Sequence, residues 1–363
     1  MIYRVIGLMS GSSLDGLDIA FVEFDESGGK WNYQIKAAEC YPYPADWVNR
    51  LKNATQLPAY DYLLLHTAYG KYMGRQVNAF IQQHHLDHQV QLISSHGHTI
   101  FHAPNLGMTA QLGDGADIAA ETGINVVSDL RAMDVAFGGQ GAPIVPIGEK
   151  LLLNEYSMFL NLGGIANISI NKSGEHIAFD ICAANRILNM LAQKEGKEYD
   201  ENGAIAASGH IHTPLLTQLN SLDYYTEPYP KSLDNGFGVK VVFPMVESYN
   251  LSVADAMRTY AEHIVMQVGY NCQLLQNSPE SKKMLVTGGG AFNGFVLQRL
   301  KQNLSALHIE VVVPEVELIN YKEALIMALI GILRWREEYN VIPSATGARR
   351  NSINGAVWIG QEA

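Results

Sequence analysis

The apolar and polar residues of this chain follow the same pattern near its start and near its middle. An apolar run, a turn of small residues and a second apolar run cover residues 3–24, with the turn at Ser10–Gly16. The pattern returns at residues 158–170, with its turn around Gly163–Gly164. Strand, turn and strand is the signal of a β-hairpin. Two such hairpins, one opening each half of the chain, indicate an internal duplication.

Strand and helix patterns alternate through the rest of the chain. Ser252–Asp255 has the spacing of a capping box, and apolar residues at helical spacing follow it from Met257 to Val268. Helices are also predicted over Phe292–Leu304 and Tyr321–Glu338. Further strands are predicted at 90–93, 125–127, 284–286 and 310–313. Strands that alternate with helices predict an α/β fold.

Composition narrows the classes of partner. The 363 residues are enough for about two domains, and a hydrophobic content of 47% supports a sizeable core. A net charge of −11 argues against nucleic acid as a partner, because phosphates need a basic surface. The longest apolar run, Ala324–Leu333, is about half of the ~20 residues that span a bilayer. It predicts a buried helix, and no membrane partner is expected.

The cysteines and the N-terminus favour a reducing compartment. Cys40, Cys182 and Cys272 lie far apart, and their odd number argues against a disulfide framework. Residues 1–13 lack the long apolar stretch of a signal peptide. We therefore expect a cytoplasmic protein.

Glycine is in excess, at 33 of 363 residues or about 9%, against a usual ~7%. The chain has no Walker A loop. It also lacks a Rossmann fingerprint, because a motif that starts at Gly288 has Asn293 in place of its third glycine. Three small-residue loops remain, at Ser10–Gly16, Asn161–Asn167 and Thr287–Asn293. Each is a tight turn on its own, but together they predict a phosphate site, because glycine lets backbone N–H groups approach phosphate closely. Asp15 or Asp18 next to the first loop could hold a hydrated Mg²⁺.

Residues 7–18, GLMSGSSLDGLD, resemble the signature G-x-M-S-G-T-S-x-D-G-x-D of the anhydro-N-acetylmuramic acid kinases, a family of the sugar kinase/hsp70/actin superfamily. The resemblance runs in order along essentially the whole chain. It includes Ser95–Gly97, Gln111–Asp114, Asp129–Pro143, Asn161–Asn167, Phe179–Asp180, Pro230–Ser232, Gly288–Asn293, Lys322–Ala324 and Thr346–Ala348.

The resemblance implies a two-lobed, actin-like ATPase of the ribonuclease H-like class, with ATP and a sugar in the cleft between the lobes. We expect an N-terminal lobe over 1–135, to which 340–363 returns, and a C-terminal lobe over 136–339. The family implies an ATP- and Mg²⁺-dependent kinase, with the Mg²⁺ held through ATP. An amino sugar is the expected substrate, and a homodimer is the expected assembly.

The resemblance also implies a set of binding residues. The ATP phosphates would contact the first loop and the second hairpin, and the third loop would flank the adenosine. The nucleotide set is Gly11, Ser12, Ser13, Leu14, Asp15, Gly16, Leu17, Asp18, Asn161, Gly163, Gly164, Gly288, Gly289, Gly290 and Asn293. The sugar set is His96, Gln111, Arg131 and Asn185.

The expected reaction opens the 1,6-anhydro bridge of 1,6-anhydro-N-acetylmuramic acid with water and phosphorylates the freed O6. The product is N-acetylmuramic acid 6-phosphate, as peptidoglycan recycling requires. A carboxylate must activate the water, and the resemblance assigns this task to Asp180. By local pattern alone, Asp180 is equally a turn former or a helix N-cap. Glu323 is the second catalytic carboxylate by resemblance, and a solvated first-turn glutamate otherwise.

Two other polar features have alternative interpretations. Arg131 is suited to bind sugar or carboxylate oxygens, or else pairs with Asp129 or Asp134. His96, His98 and His102 alternate as on one strand face, which invites a metal site. No cysteine or carboxylate nearby completes a tetrahedral set, which argues against the metal site. The resemblance at Ser95–Gly97 implies instead that His96 hydrogen-bonds the sugar.

The chain departs from the family pattern around the proposed sugar site. Where the family has T-G-P-G-N after its aspartate, this chain has Ile181–Asn185, without either glycine, and it has His98 where glutamine is usual. A positive φ at those lost glycines would strain Cys182 and Ala184 and would change the loop. A kinase for another amino sugar, a non-catalytic nucleotide-dependent sugar-binding protein and a plain glycosidase are therefore kept as alternatives.

Overall fold

The computed structural model describes residues 1–172, 175–229, 231–275 and 282–361. Pro230, part of the resemblance, lies outside the described residues. Strands and helices alternate over most of this length, as the apolar pattern predicts. In chain order the strands are β1 Ile2–Ser10, β2 Gly16–Ser27, β3 Lys30–Pro42, β4 Leu92–Ala103, β5 Met108–Leu112, β6 Val126–Ser128, β7 Met158–Leu162, β8 Ile165–Lys172, β9 Glu175–Ala183, β10 Lys282–Thr287, β11 Ile309–Val312 and β12 Ala356–Trp358.

The α-helices are numbered in the same way. They are α1 Ala45–Lys52, α2 Ala59–Gln83, α3 Gly115–Thr122, α4 Ala132–Ala136, α5 Pro146–Leu152, α6 Asn185–Gln193, α7 Ala204–Ser208, α8 Thr213–Asn220, α9 Asn235–Phe237, α10 Phe243–Ser248, α11 Val253–Leu275, α12 Gly294–Ser305, α13 Val316–Trp335 and α14 Pro343–Thr346.

The chain forms two compact units. Unit 1 consists of residues 1–154 together with the chain from residue 321 onward, and unit 2 consists of residues 155–320. These limits differ from those of the predicted lobes because residues 136–154 and 321–339 both belong to unit 1. There Glu149 forms a buried ion pair with Lys322 at 3.5 Å, and Gly148 lies against the side chain of Ile326. The C-terminal segment also belongs to unit 1, where β12 pairs with β6.

Both units are built on the same order of strands. In unit 1 the order is β3-β2-β1-β4-β6, with β12 at the far edge and β5 beside β4. In unit 2 it is β9-β8-β7-β10-β11. In each case the first three strands are antiparallel and the last two run parallel to the first strand in sequence. The predicted α/β fold with two related, ribonuclease H-like halves is confirmed.

Helix α13 explains the longest apolar run. Residues 324–330 are at most 1% exposed, so the predicted buried helix is confirmed. The helix begins at Val316, five residues before the predicted start at Tyr321, and ends at Trp335. Within the described ranges, no helix combines the length and the apolar character that crossing a bilayer requires.

Strand β1 packs against α13 at very short range. A Cβ on Gly7 would lie 1.9 Å from the backbone oxygen of Ala324. No side chain fits at this point, so Gly7 sets how closely the central strand approaches the helix.

Capping side chains begin α11 and α12. Ser252 Oγ accepts the Asp255 N–H at 3.1 Å, which is half of the predicted capping box. The Asp255 carboxylate accepts the His210 N–H instead of completing the box. Asn293 Oδ1 accepts the Val296 N–H at 3.0 Å, so α12 begins at Gly294 rather than at the predicted Phe292.

Candidate active site

The first small-residue loop is an exposed turn between β1 and β2 in unit 1. Ser13 Oγ donates to Asp15 Oδ1 at 2.5 Å, and the Leu14 N–H donates to Gly11 O at 3.3 Å. Leu14 has a left-handed backbone with φ of 61°. Ser12, Ser13 and Asp15 are exposed, so the turn offers hydroxyl and N–H donors to a ligand.

The next three predicted contacts belong to the start of β2. Leu17 is fully buried in the core of unit 1, so its side chain cannot reach a ligand. A Cβ on Gly16 would lie 2.6 Å from Cys40 Sγ, so packing within the unit requires this glycine. Asp18 alone of the three keeps a partly exposed side chain.

Asp18 lies near two other carboxylates. Burial raises the pKa of Asp18 to about 6, a hydrogen bond from Cys40 lowers it, and the charges of Asp15 and Glu323 raise it further. Burial and the Asp18 contact raise the pKa of Cys40 to about 12, so this thiol keeps its proton. Unit 1 thus gathers Asp15, Asp18 and Glu323 where a nearby cation would lower their mutual repulsion.

Glu323 lies in the body of α13, eighth in a helix that begins at Val316. It is exposed. The first-turn interpretation is wrong, because the helix starts earlier than predicted and Glu317 occupies the first turn.

Arg131 is held by two acceptors of unit 1. Its Nε donates to His96 Nε2 at 2.8 Å, and its Nη1 donates to the backbone oxygen of Gly141. Burial lowers the pKa of Arg131 to about 10, while the charges of Glu323 and Asp134 raise it. The alternative pairing of Arg131 with Asp129 or Asp134 is absent from the ion pairs of the described residues.

His96 has no ring nitrogen free for a sugar in this arrangement. Its Nδ1 contacts the Gly97 oxygen at 2.9 Å, and since a carbonyl only accepts, Nδ1 carries the proton. Nε2 then accepts from Arg131. Burial lowers the pKa of His96 to about 3, which keeps the ring neutral. His96 therefore orients Arg131, and the sugar contact expected of His96 stays a prediction.

The other histidines of the alternating set have different partners. His98 Nδ1 contacts Ser10 Oγ at 2.8 Å, and His102 Nδ1 contacts Thr109 Oγ1 at 3.1 Å. Within the part of the chain that the structure describes, these rings join no group of three or more metal-ligating side chains.

Gln111 lies on β5 beside β4. Its Nε2 donates to Thr109 Oγ1 at 2.8 Å, while its buried Oε1 has no hydrogen-bond partner. Gln111 and His96 line a cavity of about 40 Å³ together with Asp129 and Trp358. That volume fits a few water molecules, at about 10–15 Å³ each, and is too small for a sugar ring.

The second and third loops meet in unit 2. Gly288, at φ 80°, lies so close to Asn161 that a Cβ would be 2.4 Å from its Oδ1. A Cβ on Gly290 would lie 2.6 Å from Leu162. Asn185 Nδ2 donates to the Leu162 oxygen at 2.8 Å. The structure therefore brings Asn161, Gly163, Gly164 and Gly288–Gly290 together, with Asn185 linking the two loops.

Asp180 is the only one of the predicted catalytic residues in unit 2. Its Oδ2 accepts the Leu233 N–H at 2.9 Å, and its backbone oxygen accepts the Tyr224 hydroxyl at 2.6 Å. Its own N–H donates to Lys231 O at 3.1 Å. Burial raises the pKa of Asp180 and the Leu233 N–H lowers it, and Oδ1 has no hydrogen bond among the described residues. The carboxylate is fixed on one side and open on the other.

Asp180 lies inside β9 and not after it. The strand continues to Ala183, and Asp180 caps no helix, since α6 begins at Asn185 with Ala184 at its N-cap. The register places Asn167 opposite Asp180 and Ala166 opposite Cys182, so Ile181 is an extra residue in a β-bulge. Bulges change the direction of side chains and are frequent beside active sites.

The residues that replace the family's glycines after Asp180 carry no strain from a positive φ. Neither Cys182 nor Ala184 has a positive φ, and Ala184 has φ of −129°. Cys182 is completely buried in the core of unit 2. In this chain β9 continues to Ala183, and Cys182 and Ala183 pair with Ala166 and Ile165 of β8.

Tyr224 and Leu233 contact Asp180 without any local signal in the sequence. Their contacts to Asp180 join positions 44 and 53 residues away along the chain. Lys231 and Ser232 belong to the resemblance and mark this neighbourhood, but no local pattern indicates the Tyr224 hydroxyl.

Comparison with known proteins identifies relatives over the full length. A profile of the family described as anhydro-N-acetylmuramic acid kinase matches residues 3–360. The chain is 33% identical to the anhydro-N-acetylmuramic acid kinase of Haemophilus influenzae, and the match covers 97% of each chain. It is 34% identical to that of Shewanella amazonensis and 30% identical to one from Vibrio vulnificus, again over 97% of each chain.

The raised pKa of Asp18 predicts a pH dependence of stability. Because the native pKa is about 6 and the ordinary value is 3.8, the native state binds an additional proton between these pH values. The resulting stabilisation is complete below pH 3.8 and is lost as the pH rises through about 6. Asp18→Asn should therefore reduce the decline in the free energy of unfolding over this range, measured by urea denaturation.

The control is Asp25→Asn, an exposed aspartate on the same strand. If the free energy of unfolding changed with pH equally in wild type and in Asp18→Asn, the assigned titration of Asp18 would be contradicted. Glu323→Gln should shift the Asp18 midpoint downward in carboxyl-carbon NMR, because it removes one of the neighbouring charges.

Proposed function

Because the chain belongs to the anhydro-N-acetylmuramic acid kinase family, we propose that it is an ATP-dependent kinase of 1,6-anhydro-N-acetylmuramic acid. It hydrolyses the 1,6-anhydro bond and phosphorylates O6, which gives N-acetylmuramic acid 6-phosphate for peptidoglycan recycling. The proposal includes Mg²⁺ as the cation that accompanies ATP, a cytoplasmic location and a homodimer.

One observation about the glycines supports the nucleotide site. Gly11, Gly164 and Gly289 have no positive φ, and a Cβ on them would come no closer than 3.4, 3.7 and 3.6 Å to any protein atom. Neither backbone conformation nor packing requires glycine at these positions, in contrast to Gly16, Gly288 and Gly290. Each of the three loops has one such glycine, as close approach of a phosphate would demand.

The donor groups of the loops suit ATP, and the carboxylates suit its cation. Mg²⁺ usually keeps several waters and takes one or two carboxylates together with substrate phosphates. Asp15 and Asp18 are the carboxylates that would face this hydrated ion. When bound, ATP supplies the phosphoryl group that ends on O6, and Mg²⁺ offsets the phosphate charge.

Asp180 is the proposed base. Its free Oδ1 takes a proton from water as the water oxygen bonds to C1 of the sugar, and the electron pair of the C1–O6 bond moves to O6. Partial burial raises the pKa of Asp180, which makes the carboxylate a better proton acceptor. The Leu233 and Tyr224 contacts hold the group in one orientation.

Arg131, Glu323 and Asn185 are proposed to bind and orient the sugar. Arg131 uses Nε and Nη1 within the protein, which leaves Nη2 for a sugar oxygen or the lactyl carboxylate. His96 and Gln111 belong to the same neighbourhood and contribute through Arg131 and the small polar cavity. Asn185 uses its amide nitrogen on Leu162, which leaves Oδ1 as an acceptor.

The proposed reaction is tested by ADP release in a coupled assay with 1,6-anhydro-N-acetylmuramic acid, followed by mass spectrometry of the product. We expect ADP and a phosphorylated, ring-opened sugar in equal amounts. If ADP were released with an open-ring amino sugar and not with the anhydro sugar, the protein would be a kinase for another amino sugar. Ring opening without ATP would indicate a glycosidase, and ATP binding without turnover would indicate a binding protein.

Asp180→Asn should lower kcat by roughly 10²–10⁴-fold, the range that general-base catalysis contributes. Its Kd for ATP, measured by calorimetry, should stay unchanged, because the carboxylate is assigned to the water and not to the nucleotide. Glu175→Gln, at the exposed start of the same strand, is the matched control. Turnover of Asp180→Asn near that of wild type would mean that another group is the base.

Substitution of the unconstrained glycines tests the phosphate loops. Gly11→Ala, Gly164→Ala and Gly289→Ala should each raise the Kd of ATP about tenfold or more, since the added methyl group occupies the approach to the phosphates. The free energy of unfolding should stay the same or rise by about 0.4–1 kcal/mol, because alanine lowers the conformational entropy of the unfolded chain. ATP affinity unchanged in all three variants, with normal unfolding curves, would refute this assignment of the loops.

A further inference from the structure

Four buried polar side chains of unit 1 form a hydrogen-bonded row at the start of the first phosphate loop. Ser10, the last residue of β1, immediately precedes Gly11. Its Oγ contacts His98 Nδ1 at 2.8 Å and the Tyr43 hydroxyl at 2.7 Å, and Tyr43 contacts the Tyr69 hydroxyl at 2.5 Å. All four side chains are at most 7% exposed.

The direction of each hydrogen bond in this row can be worked out. Tyr43 donates to Ser10, so its single proton is used and its oxygen accepts from Tyr69. Ser10 in turn accepts from Tyr43, so we assign its own proton to the bond with His98 Nδ1. His98 acts as the final acceptor, with its ring neutral, and burial lowers its pKa to about 4. Tyr43 and Ser10 thus each donate once and accept once within the row, and Tyr69 donates once.

Tyr43 contacts both ends of the loop. Its hydroxyl holds Ser10 before the turn, and its backbone N–H donates to the Asp15 oxygen at 3.2 Å after the turn. The ring packs against Tyr72 and Tyr69, with ring centres 6.1 and 6.3 Å away. A residue fixed by this aromatic packing thus spans the turn that joins β1 to β2.

We propose that Tyr43, through Ser10 and His98, is the positioning element that fixes the first phosphate loop for the nucleotide. This inference rests on the proposed function only in naming ATP as the ligand. His98 serves here as the acceptor that ends the row, a task that a glutamine side-chain oxygen can also perform.

The clamp, by which we mean Tyr43 with its contacts to Ser10 and through it to His98, is tested with four variants. Tyr43→Phe and His98→Leu each remove one hydrogen bond to Ser10, whereas His98→Gln restores an acceptor. Tyr72→Phe removes a hydroxyl from the same aromatic cluster, and this hydroxyl has no hydrogen bond in the described structure. The measurements are calorimetric binding of a non-hydrolysable ATP analogue and amide hydrogen exchange of residues 11–16 without nucleotide.

Tyr43→Phe and His98→Leu should raise the Kd of the analogue roughly three- to tenfold, the effect of about one neutral hydrogen bond. Both should speed amide exchange in residues 11–16, while the KM for the sugar stays constant. His98→Gln and Tyr72→Phe should behave as wild type. Where His98→Leu fails to fold, as its urea curve would reveal, Tyr43→Phe decides the outcome, because its backbone contact to Asp15 is kept.

Wild-type affinity and wild-type exchange in Tyr43→Phe would overturn the clamp. The same loss of affinity in Tyr72→Phe would also overturn it, because the effect would then come from general packing. A wild-type protein that binds no ATP analogue would instead refute the proposed function. Exchange of residues 11–16, measured without nucleotide, would still test whether Tyr43 orders the loop.

Discussion

The approach of strand β1 to helix α13 determines the arrangement of unit 1. Because Gly7 lacks a side chain, the central strand lies directly against the Ala324 backbone, where a Cβ would come within 1.9 Å. The strand carries the first loop at its end, and the helix carries Glu323 one residue before the contact. This single close packing therefore brings Glu323 near Asp18 and Asp15. Burial raises the pKa of Asp18, and the charges of Asp15 and Glu323 raise it further.

Both units repeat one topology, but they use it for different chemistry. In each unit a small-residue turn joins the two strands of an antiparallel hairpin, and the first of these strands has a parallel neighbour. Unit 1 surrounds its turn with carboxylates and with the row from Tyr69 to His98. Unit 2 instead places its two glycine loops against each other through Asn185, and holds Asp180 on a bulged edge strand.

The contacts of His96 and Asp180 show why residue type alone does not determine a role. A histidine in a polar motif suggests a ligand contact, yet both nitrogens of His96 bind within the protein and orient Arg131. An aspartate after an apolar run suggests a cap, yet Asp180 lies within a strand. In both cases the deciding partners, Arg131 and Leu233, are distant in sequence and adjacent in space.

Much of the fold follows from the sequence by itself, because hairpins, capped helices and buried runs have local periodic signals. The duplication, the buried helix α13 and the three loops were predicted in this way, and residues 7–18 indicated the family. Tertiary structure alone decided which glycines packing requires, where α13 begins, and that Ile181 is a bulge residue instead of loop. It also brought Tyr43 to both ends of the first loop. These features depend on contacts between residues far apart in the chain, and such contacts leave no periodic trace in the sequence.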